Sequence, residues 1–123
     1  MRVQSFVAGL SILAVQTISK TTEFFNEFTK LTEYNFRDAV LEDPDNMWFV
    51  TFYTDWCPYC KTLDQELFEA RDDETIQDKK VKFGVVELMS NKNLMRKYDI
   101  KSAPIIKVFG EDKFNPEDYS GRR

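Results

Sequence analysis

A chain of 123 residues has room for one domain built on one hydrophobic core. Its 42% hydrophobic and 15% aromatic content can supply that core without a disulfide framework or a metal, and a formal charge of −4 argues against a phosphate-tracking surface and so against nucleic acid as a partner. With no histidine and only two cysteines, Cys-His hydrolases, histidine-bearing zinc sites and any four-thiolate zinc or iron–sulfur centre within the chain are excluded.

The chain opens with the parts of a secretory signal: Arg2, an apolar run from Phe6 to Val15, then small and polar residues through Ser19. That run is shorter than the roughly 20 apolar residues a membrane helix needs, so no stable membrane span is expected. Cleavage near Ser19 is the reading, with an uncleaved N-terminal helix or an organellar presequence as alternatives. Residues 1–19 are thus expected to be a signal peptide and 20–123 the domain, truncated at its C-terminal end.

Phe24, Phe25, Phe28 and Leu31 fall near helical spacing, with Thr21 or Thr22 as a cap, and predict a buried stripe. Thr32 caps a second predicted helix carrying Phe36, Ala39, Val40 and Leu41, which ends before the Asp43-Pro44-Asp45-Asn46 turn. Met47 to Thr54 is aromatic and β-branched without clean alternation, as suits a central strand covered on both faces. A helix from Cys57 to about Ala70 follows, with Leu63, Leu67 and Phe68 inward and Asp64, Glu66 and Glu69 on a wet face. The acidic run from Glu69 to Glu74 reads as solvated surface.

Val81 to Leu88 predicts a strand, Asn91 to Tyr98 a short capped helix, and Ile105 to Phe109 another strand. A turn at Gly110 leads to a weaker strand around Phe114. Met89 and Met95 read as core filler. Alternation of strands and helices gives an α/β fold with a sheet flanked by helices.

The chemistry lies in Trp56-Cys57-Pro58-Tyr59-Cys60. A Cys-x-x-Cys pair directly after a buried strand and opening a helix puts the first sulfur where unpaired N–H groups and the helix dipole favour a thiolate. Cys57 is therefore the candidate nucleophile, and Cys60, one turn on, the group that resolves the mixed disulfide. Pro58 suits a first helical turn, where its missing N–H costs nothing. Tyr59, between the sulfurs in sequence, is a candidate substrate contact. A structural disulfide, half of a shared metal site and an incidental thiol pair remain the bland alternatives; a loop this short gains little from cross-linking entropy.

The run Phe52-Tyr53-Thr54-Asp55-Trp56-Cys57-Pro58-Tyr59-Cys60-Lys61 resembles the active-site segment of protein disulfide isomerases in the thioredoxin superfamily. Leu31-Thr32-Glu33-Tyr34-Asn35-Phe36, Tyr98-Asp99-Ile100-Lys101-Ser102-Ala103-Pro104 and Tyr119-Ser120-Gly121-Arg122 resemble further segments of these domains, in the same order, over about residues 28–123. The resemblance implies a thioredoxin fold with a central mixed sheet, lacking its final C-terminal helix because the chain stops at Arg123. It also implies thiol–disulfide exchange on client proteins in the endoplasmic reticulum lumen, with Trp56 and Pro104 shaping the site and Ala103 offering backbone to substrate. Pro104 is expected to be cis. Arg122 matches an arginine that assists the resolving cysteine. Besides thiol- or disulfide-bearing clients, glutathione or an upstream oxidase are implied partners, and no dissociable cofactor is needed.

The departures from the family pattern matter too. Thr51 stands where a buried carboxylate is usual and Val85 where its lysine partner is usual. Pro58-Tyr59 replaces Gly-His, so no imidazolium supports the Cys57 thiolate, and Gln65 replaces a kinking proline. The Cys-Pro-Tyr-Cys tetrad is typical of glutaredoxins, yet Phe109-Gly110-Glu111-Asp112 lacks their Gly-Gly-x-Asp segment. A glutathione-linked reductase and a client-holding subunit with a vestigial pair stay open beside the exchange enzyme.

Overall fold

The computed structural model describes residues 25–77 and 79–119. The predicted signal segment 1–19, Thr21, Thr22, Phe24 and Arg122 lie outside them.

Five strands form one mixed sheet in the order β1-β3-β2-β4-β5. β1 (Thr29–Lys30), β3 (Val81–Glu87) and β2 (Met47–Tyr53) run parallel, and β4 (Ile105–Phe109) and β5 (Glu117–Asp118) complete the sheet antiparallel. β2 is central and buried on both sides, which is why its sequence lacks alternation. Trp48, Val50 and Phe52 face one core with Phe36, Val40, Val86, Leu94 and Phe109. Tyr53 faces the other with Cys57, Cys60, Leu63, Leu67, Val85 and Ile106. Helices α1 (Arg37–Leu41) and α4 (Lys92–Lys97) therefore cover one face, and α2 (Cys60–Asp72), followed by the single turn α3 (Glu74–Gln77), covers the other.

β3 approaches its neighbours closely at Gly84. A Cβ there would stand 3.1 Å from both Leu31 Cγ and Trp48 Cζ3, so glycine is what lets Leu31 and the indole close over the strand.

The predicted strands at 47–54, 81–88 and 105–109 are present to within a residue at each end. The helix expected around Phe25 to Leu31 is not. Phe25, Phe28 and Leu31 are buried as their spacing suggests, but Phe25 has φ 60° and the chain turns there before pairing as β1. The stripe is also split: Phe25 and Phe28 join the α2 side of the sheet, Leu31 the other. Pairing of Thr29 and Lys30 with Gly84 and Val85 supplies backbone partners that a helix this short could not match.

Other expectations are corrected at the surface. Phe68 is exposed, with the Arg71 guanidinium 4.7 Å above its ring, instead of facing inward. Glu66 is half-buried, and its Oε1 has no hydrogen-bond partner. It lies beside an apolar groove of about 300 Å³ lined by Phe49, Leu63, Phe83, Ile106 and Tyr119. Phe114 is exposed in a turn, and the last strand forms at Glu117–Asp118 instead. Asn91 does not cap α4 with its side chain. Its buried amide accepts from the Glu33 N–H at 2.9 Å and donates to the Glu87 carbonyl at 2.8 Å, tying the loops after β1 and β3 together.

Candidate functional site

The parallel strands end together, and the segments that follow them share one edge of the sheet. β2 ends at Tyr53, paired with Glu87, the last residue of β3. The chain then makes a turn in which the Cys57 N–H donates to the Thr54 carbonyl at 3.2 Å. α2 starts at Cys60, later than its sequence suggests, so Cys57 stands just ahead of the helix and not in it. The Leu63 N–H reaches back to the Tyr59 carbonyl at 3.1 Å, and no side chain caps this end. An uncapped helix head leaves N–H groups and the positive end of the dipole free for an anion nearby.

Cys57 and Cys60 are joined in a disulfide with Cα atoms 5.4 Å apart. Cys60 is fully buried and Cys57 nearly so, at 4% exposure, whereas Trp56 beside them is 74% exposed and Tyr59 42%. The sulfurs thus sit at the rim of an apolar core, flanked by aromatic rings that stay in water. A bond so placed can be opened by an incoming thiolate and closed again without disturbing the sheet.

Beneath the pair, the departures seen in the sequence meet. Thr51 and Val85 are directly opposite one another across β2 and β3, and Ile106 stands opposite Thr51 across β4; all three are buried. Replacing both members of a carboxylate–lysine pair by uncharged residues leaves no lone buried charge. Thr51, Val85 and Ile106 have no group that exchanges a proton at neutral pH.

On the far side of the turn, Ala103–Pro104 is a cis peptide. α4 ends through Asp99, in the left-handed region at φ 54°, with the Ile100 N–H returning to the Met95 carbonyl at 2.9 Å. That stop directs Lys101 to Pro104 across the edge before Ile105 pairs with Phe52. Pro104 is therefore placed beside the end of β2, and Ala103 packs against the core on the Phe52 side. The structure thus gathers Trp56, Cys57, Tyr59, Cys60, Ala103 and Pro104 on one edge.

Two features of this edge escaped the sequence. Thr54 is buried at 4% exposure, and its Oγ1 has no hydrogen-bond partner. A threonine directly after the aromatic end of β2 was the available signal. Met89, expected in the core, is 50% exposed. Among the described residues no group of three or more His, Cys, Asp or Glu side chains could hold a metal ion, and no helix is long and apolar enough to cross a membrane.

The family model described as Thioredoxin matches residues 27–123. Over 121 residues the chain is 33% identical to protein disulfide-isomerase A6 of Homo sapiens, covering 98% of this chain and 26% of that protein. Over 114 residues it is 32% identical to the protein disulfide-isomerase A6 homolog of Caenorhabditis elegans, covering 93% and 25%. The chain thus spans about a quarter of the length of the curated relatives it matches. Among solved structures, Chlamydomonas reinhardtii thioredoxin f2 superposes with a TM-score of 0.65 at 28% identity, covering 78% of this chain and 85% of that one.

Proposed function

Because the chain belongs to the thioredoxin family, we propose that it is a thiol–disulfide oxidoreductase and isomerase acting on protein clients through Cys57 and Cys60. The observation that carries this reading is the Cys57–Cys60 disulfide at the uncapped head of α2, between exposed Trp56 and Tyr59.

In the reducing direction the Cys57 thiolate attacks one sulfur of a client disulfide. A Cys57–client mixed disulfide forms and one client thiolate leaves. Cys60 then loses its proton and attacks the Cys57 sulfur, which expels the second client thiolate and restores the Cys57–Cys60 bond. The client gains two electrons and the enzyme pair gives up two; oxidation of a client runs the same steps in reverse. Slight exposure suits Cys57 for attack, and full burial suits Cys60 for a reaction confined to its neighbour.

Trp56 and Tyr59 bracket the incoming client, while Ala103 offers its backbone and Pro104 shapes the wall beside the sulfurs. Since Thr51, Val85 and Ile106 offer no proton acceptor, the proton of Cys60 leaves through water, with Arg122 assisting. The redox change at the two cysteines is the whole chemistry, without a dissociable cofactor. A secretory-pathway location, the endoplasmic reticulum lumen, is supported by the signal-like residues 1–19. Glutathione or an upstream oxidase would reset the pair there.

The test is reduction of insulin disulfides by dithiothreitol, followed by turbidity. The wild-type chain accelerates it, and Cys57→Ser lowers the rate to the uncatalysed background. A rate unchanged in Cys57→Ser would remove the assignment.

A further inference from the structure

The edge that carries the redox pair carries more exposed apolar surface than the pair needs. Of the large hydrophobic side chains left exposed in the described residues, Tyr34, Trp56, Tyr59 and Met89 all lie on this edge. Phe68 is on α2, and Met47 and Phe114 lie at the other end of the sheet.

Their order follows from the order of the strands. Tyr34 lies in the turn after β1, Met89 in the 3₁₀ turn Leu88–Ser90 after β3, and Trp56 in the turn after β2. Since β1, β3 and β2 are neighbours in that sequence, the turns that carry Tyr34, Met89 and Trp56 form a row, at whose far end Tyr34 also lines a groove with Arg37, Leu94 and Lys97. Strands spaced about 4.8 Å apart bring the whole row within reach of a few residues of an extended chain at roughly 3.3 Å each.

Met89 and Tyr34 are also held in place. Leu88 is buried, the Ser90 N–H donates to Glu87 Oε1 at 2.9 Å, and the Asn91 N–H donates to the Leu88 carbonyl at 3.0 Å. Glu33, next to Tyr34, is bound to Asn91 through its N–H and to Asn93 through its carboxylate, at 2.9 and 3.0 Å. A methionine held half in water gains from being covered by an apolar group of another molecule. A flexible, polarisable thioether suits contact with apolar side chains of varied shape.

We infer that Met89 and Tyr34 extend the client-binding surface beyond the redox turn. The occupant is an extended client segment with an apolar side chain a few residues from its reactive cysteine. The inference rests on the exchange activity proposed above. The row continues directly from Trp56, so a client whose sulfur is at Cys57 lies along it.

The test uses peptides whose cysteine is joined to 5-thio-2-nitrobenzoate, with Leu or Ser three residues from that cysteine. Attack by the Cys57 thiolate of the reduced chain forms the peptide mixed disulfide and releases the coloured thiolate. Each second-order rate constant of this single turnover is divided by that with the bis-nitrobenzoate disulfide, which has no peptide. Wild type prefers the Leu peptide roughly fivefold; Tyr34→Gln with Met89→Gln brings the preference close to one; Met89→Leu keeps it. Release with no Leu preference, or a preference intact in the double variant, overturns the inference and leaves the exchange activity standing. No release from any substrate overturns both. A concentration-dependent dimer that Met89→Gln dissolves in sedimentation also overturns it, since the row would then be an interface between copies.

Discussion

The two ends of the sheet differ in how the polar groups nearest β2 are finished. At the end where β2 begins, polar groups are paired: the Trp48 indole N–H donates to Asp43 Oδ2 at 2.9 Å, Asn46 Nδ2 donates to the same carboxylate at 3.0 Å, and buried Lys113 donates to the Asp43 carbonyl at 2.6 Å. At the end where β2 stops, a buried threonine hydroxyl has no partner, the head of α2 is uncapped, and tryptophan, tyrosine and methionine stand in water. The closed end fixes the sheet. The open end leaves the head of α2 and the exposed tryptophan, tyrosine and methionine where another molecule can take them up.

The comparison breaks first at the closed end. Asp43→Ala leaves the Trp48 N–H without an acceptor beneath a nearly buried ring, and costs about 2 kcal/mol in urea unfolding while insulin reduction is retained. Acid gives the same contrast. The Trp48 indole N–H is the main cause that lowers the Asp43 pKa from 3.8 to about 2. The folded chain therefore holds that proton more weakly than the unfolded chain. Stability from this group is complete above pH 3.8 and is lost as the pH falls through about 2. Asp73, lowered by Thr75, adds to the same limb. Asp43→Asn should flatten the acid dependence; unaltered pH curves would mean that the closed end does not hold the fold.

A smaller effect of opposite sign is expected at the open end. Thr54→Val keeps the β-branched shape and removes a hydroxyl that is buried without a partner, so thermal unfolding should show a gain of about 1 kcal/mol. A loss of stability would mean that the hydroxyl is satisfied in solution.

How far the sequence carried the structure can be argued residue by residue. β2 and β4 were legible because aromatic and β-branched runs bounded by turn residues have few other uses. The cysteine pair was legible because strand, tryptophan, pair and helix came in order. The Phe25 to Leu31 segment was misread because spacing reports burial, not backbone. Phe25 and Phe28 face one core and Leu31 the other, a split that a strand and turn allow and one helix face does not. Phe68 follows inward Leu67 and is turned sideways, where Arg71 covers it. Met89 was assigned by residue type, which does not show that it falls in the 3₁₀ turn Leu88–Ser90, where it is 50% exposed.

Thr51 and Val85 sharpen the central claim: they are buried opposite one another beneath the pair, without the charges usual in the family it resembles. An exchange enzyme uses Cys57 all the same, whereas a client-holding domain with a vestigial pair does not. Cys60→Ser stops the resolving step, so an exchange enzyme accumulates client on Cys57. Incubating Cys60→Ser with reduced, unfolded client in a glutathione buffer whose oxidised form accepts the two electrons, and separating the products on non-reducing gels, is the most direct test. The account predicts mixed disulfides that dithiothreitol dissolves and that are absent when Cys57 is also serine. Client that associates equally in both variants and in the presence of reductant would contradict it.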